Sequence, residues 1–281
     1  MKSLGRSLFY SHLSMDASTR HTSSEVRHSE AKPLRSYSEL VEELAKVAYY
    51  NVGFSFFYRG QSDDFSTLHP KTRSRKATSI YPTIFRNKGG KLSSTVLAER
   101  YSKLDLATSA LIREFKKEGF DSFKRMKKFP ELAWSVLQHY EVCRTPLTDV
   151  THSARVASSF ALPENQRSSS GYFYVLALPN SNEGFGYSVD NELVTLRLLN
   201  VCPPEAKRPF FQEGYLVGSF PYHVRRKRPE YDVAVRLVAK YKLLGGNFWC
   251  GDFPSIPPNS LSPRIDKVKS ICEKIRQEIG I

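Results

Sequence analysis

The stretch from Gln138 to Ala161 constrains this chain more than any other. It reads Gln-His-Tyr-Glu-Val-Cys-Arg-Thr-Pro-Leu-Thr-Asp-Val-Thr-His-Ser-Ala-Arg-Val-Ala-Ser-Ser-Phe-Ala. Polar, chemically capable side chains are packed here between two apolar-periodic segments. Across Thr148-Asp149-Val150-Thr151-His152-Ser153 the pattern changes from extended to helical. Such a turn brings hydroxyls, a carboxylate and free backbone N–H groups to one point, which suits a phosphate or another anion. A second polar singularity, Tyr58-Arg59-Gly60, closes the apolar run that starts at Phe54 and is broken only by Ser55.

The charge balance asks for the same kind of ligand. Against 28 Asp and Glu stand 42 Lys and Arg, a net charge of +14. That excess favours an anionic partner, whether nucleotide, nucleic acid or acidic surface; a solubilising basic face accounts for it as well. The clusters at Lys71 to Lys76, Lys116 to Lys128 and Arg225 to Arg228 form a nucleic-acid patch only if the fold gathers them. Cys143, Cys202, Cys250 and Cys272 show no paired spacing, which argues against a zinc site and a disulfide framework and leads us to expect a cytoplasmic protein. No apolar run approaches the roughly 18 residues of a membrane span. The start is poor for a signal peptide because its apolar stretch is broken, and the early Asp16 and Glu25 argue against a transit peptide.

Along the 281 residues one large domain is expected after a Ser-, His- and Arg-rich segment, residues 1–34, which reads as a mobile, disordered basic tail. Ser36 with Glu39 three residues on fits a helix start, and Leu40, Val41, Leu44, Val47 and Ala48 follow at helical spacing until Gly53. Residues 54–58 read as an aromatic strand. Helices are expected over about 93–118, from Pro130, over 153–162, over 231–244 before Gly245-Gly246, and over the last stripe of Ile265, Val268, Cys272, Ile275 and Ile279. Strands are expected at 171–178, 193–201 and 210–220. That order predicts an α+β fold: a central, mainly antiparallel sheet, split or whole, with helices at both chain ends. The domain is expected to cover residues 35–281, with core motifs at 54–220 and closing helices at 230–281.

Three elements converge in order and spacing: Phe57-Tyr58-Arg59-Gly60-Gln61; Leu68-x-Pro70 with Arg73; and Gln138-His139-Tyr140 through Thr145-Pro146-Leu147-x-Asp149-x-Thr151 to Ala157-x-x-Phe160-Ala161. Together they resemble the FRG domain family, named for a Phe-Arg-Gly tripeptide. The chain departs from the pattern at Tyr58, at Glu141 where a glycine is usual, in one extra residue before Thr145, and at Val150 where a tryptophan is usual. An aromatic-Arg-Gly at a strand end, followed by a hydroxyl-rich strand and a helix, is also similar to mono-ADP-ribosyltransferases of the Arg/Ser/Glu type. That resemblance implies that Arg59 supports NAD, that Thr151 and Ser153 shape its pocket, and that a late glutamate is catalytic. Glu213, in Gln212-Glu213-Gly214 on an expected strand, is the candidate, with Glu192 as the spare.

Each residue has a plainer reading. Arg59 either holds a phosphate or pairs structurally with Asp149. Gln61 follows it at the strand end as a second binding candidate. His139 is either an acid–base group or a structural hydrogen-bonder beside Gln138. Asp149, Thr151 and Ser153 either meet the ligand or cap the turn, and Glu213 either catalyses or faces water. Three functions follow: an enzyme that uses NAD as substrate and transfers ADP-ribose or cleaves NAD; a module that binds a nucleotide or nucleic acid without turnover, in bacterial sensing or defence; and a buried polar network that only holds the fold.

Overall fold

The uninterrupted apolar run Tyr172 to Leu178 needs cover on both faces, and it becomes the middle of a sheet with helices on both sides. The computed structural model describes residues 1–68, 75–87, 92–163, 170–179, 184–220, 231–249 and 253–280. Lys71, Arg73, Arg225 to Arg228, Cys250 and most of the Ser-rich segment after Gln166 lie outside the described residues.

In chain order, β1 (Leu8–Phe9), β2 (His21–Thr22), α1 (Ser23–His28) and β3 (Lys32–Leu34) lead into α2 (Tyr37–Tyr50) and β4 (Ser55–Gln61). A hairpin, β5 (Ser66–Leu68) and β6 (Arg75–Thr78), precedes a helical block of α3 (Ser94–Lys117), α4 (Ser122–Lys128) and α5 (Pro130–His139). Then come β7 (Leu147–Thr151), α6 (Ala154–Ala161), β8 (Ser170–Leu178), β9 (Phe185–Ser188) and β10 (Leu193–Arg197). Short helices α7 (Leu198–Val201) and α8 (Arg208–Gln212) lead to β11 (Gly214–Ser219). The chain closes with β12 (Leu237–Leu244), α9 (Pro258–Leu261) and α10 (Lys267–Glu278).

Among the described residues the main sheet has eight strands in the order β3-β12-β8-β4-β7-β11-β10-β9. Only β3 and β12 run parallel; the other neighbours are antiparallel. Alternation along β8 assigns the two layers. Tyr174, Leu176 and Leu178 face a core built with α3, α4, α5 and α10. Phe173, Val175 and Ala177 face a second core built with α2, α6 and the N-terminal segment. The fold is therefore α+β with a mainly antiparallel sheet.

One junction in that sheet is unlike the rest. β4 pairs with β8 along its whole length, and β7 pairs with β11 over Leu147 to Thr151. Between β4 and β7 only Tyr58 and Thr151 are paired. The sheet is continuous, but it parts on one side of this pair. Helix α6, started by Ser153 accepting from the Val156 N–H, lies directly on the strands beside the opening. Gly60 and Gly171 make that approach possible. A Cβ on Gly60 would overlap the Ala157 carbonyl oxygen and stand 2.8 Å from the Ala161 nitrogen. A Cβ on Gly171 would overlap the Ala161 carbonyl.

Several expectations need correction. Residues 1–34 do not form a mobile tail: Phe9 and Val26 are buried, Asn51 exchanges two hydrogen bonds with the Tyr10 backbone, and β3 pairs with β12. Sparse apolar residues sufficed because each one fills a gap in a core supplied by distant chain. Residues 237–244 form a buried strand, not a helix; a strand covered on both faces lacks the alternation that separates it from a buried helix. Residues 193–201 split into β10 and α7, and 210–220 into the end of α8 and β11.

Gly60→Ala is expected to lower the unfolding free energy by about 3 kcal/mol, because the clash is with backbone that cannot rotate away; a chemical denaturation midpoint reads it. His12 gives a second test. Burial, and then the Lys240 and Lys32 charges, outweigh its bond to the Glu30 carbonyl and push it down to about 4. The fold therefore holds His12 neutral while the unfolded chain takes a proton below about pH 6.5. Stability is full above that pH and is lost as pH falls toward 4, by about 3 kcal/mol. His12→Gln should remove that part of the slope in urea unfolding measured across this range.

Candidate functional site

Where β4 and β7 part, the structure has a cleft of about 240 Å³. Its walls come from the ends of β4 and β7, the start of β11, the end of α5, helix α6 and the residues around α8. Tyr58, Arg59, Gln138, His139, Asp149 and Thr151 line it together. Segments 90 residues apart in sequence thus meet at the split in the sheet.

Arg59 is half-buried at the opening, and its guanidinium does not pair with the Asp149 carboxylate. Nη1 donates to the Asp149 backbone carbonyl at 2.6 Å, and Nε donates to Gln61 Oε1 at 3.0 Å. The side chain thereby satisfies a carbonyl that the parted ladder leaves without a strand partner. A guanidinium carries five N–H donors. Two are used, and the other three have no protein partner among the described residues. Burial, and then the Arg86 charge, push Arg59 down to about 10, so it stays cationic at neutral pH. A half-buried cation with donors left over at a cleft favours an anion.

The Asp149 carboxylate has other partners. Gln138 Nε2 donates to Oδ2 at 2.9 Å, and His139 Nδ1 lies 3.2 Å from Oδ1. The Gln138 amide is itself fixed, because its Oε1 accepts from Thr83 Oγ1 at 2.9 Å and from Thr145 Oγ1 at 2.7 Å. Burial alone would raise Asp149; the His139 bond, the Arg59 charge and the Gln138 bond outweigh it and hold the carboxyl at about 2. Burial lowers His139 despite Asp149, so the imidazole is neutral with its Nδ1–H on the carboxylate. Its Nε2 keeps a lone pair and has no hydrogen-bond partner among the described residues. That nitrogen is itself buried.

Thr151 Oγ1 donates to the Gln212 carbonyl and accepts from the Ser153 N–H, both at 3.0 Å, so it fixes the turn as well as facing the cleft. Ser153 caps α6 and does not line the cleft, and Gln61 is buried behind Arg59. Glu213 is not on the strand. It ends α8 with φ +44°, is exposed, and lies outside the cleft lining. Glu192 also sits in a turn, with φ +48°, away from the cleft. The β11 residue that does face the cleft is Gly214. A Cβ there would stand 2.8 Å from Leu198 Cδ1 and 3.2 Å from His139 Cε1, so the His139 ring occupies the space of a side chain.

Sequence reasoning missed Thr83, Arg208 and the structural part played by Glu141. Arg208 Nη2 donates to Glu141 Oε1 at 2.7 Å across the mouth. Glu141 has φ +55°, the left-handed conformation that explains why glycine is usual at this place in the related pattern. Thr83 opens a three-residue 3-10 turn and Arg208 a five-residue helix, both too short to show periodicity, so only the folded contact reveals them.

Asp149→Asn leaves one oxygen acceptor for the two donors of Gln138 and His139. A loss of about 2 kcal/mol is expected, the order found when a buried donor loses its partner, measured by urea unfolding at neutral pH.

No curated protein and no solved structure matches the chain. The family comparison does find a match, and it falls on the segment that builds the β4 and β7 sides of the cleft. From the start of β4 to the first residue of β8, residues 55–170, this chain carries an FRG domain.

Proposed function

We propose that the cleft binds NAD through Arg59 and that the site cleaves its nicotinamide–ribose bond, passing ADP-ribose to an acceptor or to water. The observation that carries this reading is the set of three Arg59 donors that have no partner among the described residues, at the parting of the sheet. A planar cation with its remaining donors free matches a phosphate oxyanion. The strand order supports the ADP-ribosyltransferase likeness: the Arg strand β4, the hydroxyl strand β7 and the late strand β11 are consecutive neighbours.

A volume of about 240 Å³ is small for a whole dinucleotide. In this reading the cleft takes nicotinamide and its ribose, with the pyrophosphate on Arg59 at the mouth. Tyr58 and Phe160 supply aromatic surface for the ring. The glycosidic C–N bond breaks with its electron pair leaving on nicotinamide, and the sugar takes on oxocarbenium character. A carboxylate stabilises such charge. With Glu213 outside the cleft, that part falls to Asp149, whose two oxygens retain acceptor capacity beyond the Gln138 and His139 bonds. His139 Nε2, buried in the free protein, accepts the proton of the attacking water or acceptor hydroxyl once ligand binding uncovers it.

The second reading, a nucleotide-binding module without turnover, is favoured by Gly214 standing where β11 faces the cleft. Calorimetric titration of NAD, with nicotinamide release followed in parallel, separates the two. Wild-type binding and release, with Arg59→Ala binding at least tenfold weaker and His139→Ala binding without release, are expected. Binding without release by the wild type selects the module. No binding by folded wild type removes NAD as the ligand.

A further inference from the structure

A second cleft, also of about 240 Å³, lies on the surface between α3 and the loop that follows α5. It is lined by Val96, Glu99, Arg100, Lys103, Cys143 and Arg144. Three of the six are cations. Their arrangement is set by the backbone just after the 3-10 turn Thr83–Phe85. Arg100 Nη1 donates to the Ile84 carbonyl at 2.5 Å and to the Arg86 carbonyl at 2.9 Å. Arg144 Nη1 donates to that same Arg86 oxygen at 2.9 Å. Two guanidiniums therefore converge on one carbonyl oxygen, and the Arg86 side chain is tied beside them through its bond to the Tyr81 carbonyl at 2.8 Å.

No carboxylate forms an ion pair with Arg86, Arg100, Lys103 or Arg144 among the described residues, although Glu99 shares the lining. Glu99 lies four residues before Lys103 on α3 without closing a salt bridge. Like charges gathered around a single neutral acceptor repel one another, and burial together with the Arg144 charge pushes Arg100 below its ordinary range. Solvated basic faces spread their charges; this one fixes guanidiniums with backbone bonds, and their outer donors have no partner among the described residues. The Arg86 charge also reaches Arg59 and helps to lower it.

We propose that Arg100, Lys103 and Arg144, with Arg86 at the edge, form a second anion site that binds phosphate groups, presented by a polynucleotide backbone or by a free polyphosphate. The inference stands apart from the NAD reading, since none of these four residues lines the first cleft.

The test uses the full chain, a labelled single-stranded oligonucleotide read by fluorescence anisotropy, and tripolyphosphate read by calorimetry, across a salt series. The triple variant Arg100→Gln/Lys103→Gln/Arg144→Gln should bind at least tenfold more weakly. Each lost phosphate contact should reduce the log–log salt slope by about 0.7 on a single strand, so the triple variant should lose about 2. Lys103→Gln alone, at an exposed position with no hydrogen bond to lose among the described residues, should lose about 0.7 and keep its fold. Arg59→Ala should bind the oligonucleotide as the wild type does. Binding of the oligonucleotide alone identifies a polynucleotide source, and binding of tripolyphosphate alone a free one. Unchanged affinity and slope in both variants, no binding of either probe by wild type at low salt, or an equal loss in Arg59→Ala would overturn the proposal.

Discussion

The rest of the structure depends on how the sheet is held where it parts. β4 and β7 share the single pair Tyr58–Thr151, and the next bond across the gap is made by a side chain. The Arg59 guanidinium reaches the Asp149 carbonyl where a strand N–H would otherwise stand. A backbone carbonyl withdrawn from both water and its ladder costs about as much as a lost hydrogen bond, so the arginine does structural service there. It does so with only part of its donor set. The same residue that holds the split together is therefore also the one that presents charge to the cavity.

Helix α6 fixes the width of that opening. Gly60 and Gly171 let its backbone lie on β4 and β8 with no intervening side chain. The glycine after the arginine is thus a packing requirement. On the opposite wall, Thr83 and Thr145 clamp the Gln138 amide, Gln138 clamps Asp149, and Asp149 orients His139. Each link spends one donor on one acceptor, and the chain of bonds ends on an imidazole nitrogen with its lone pair intact. The bonds that hold the fold also decide which atoms are left unspent: three Arg59 donors and one imidazole nitrogen have no partner among the described residues.

Much of this was legible before folding, because local rules govern it. The helix started by Ser36, the long α3, the Pro130 start of α5 and the cap at Ser153 all follow from side chains acting within one turn of themselves. The cleft residues Arg59, Gln138, His139, Asp149 and Thr151 stood out because polar groups interrupt apolar patterns there. The reading failed where the deciding contact was distant. β12 looks helical until both its faces are covered, and the N-terminal segment looks loose until Phe9 and Val26 find their cores. Glu213 looked like a strand residue because apolar residues flank it, but residues 208–212 coil into α8 and Glu213 ends that helix in the left-handed conformation, before the strand begins.

The sequence by itself determined which residue types were on offer: a basic chain, an Arg-Gly at a strand end, and a Gln-His pair upstream of an Asp-x-Thr turn. Those are properties of composition and short-range spacing, and they need no fold to be true. Only the tertiary structure decided which atoms remain available. It turned Arg59 away from the Asp149 carboxylate, gave that carboxylate to His139 and Gln138, filled the space above Gly214 with an imidazole, and drew Arg100 and Arg144 onto one carbonyl oxygen. Such choices depend on hydrogen-bond partners up to 90 residues apart, whose distances no local pattern encodes.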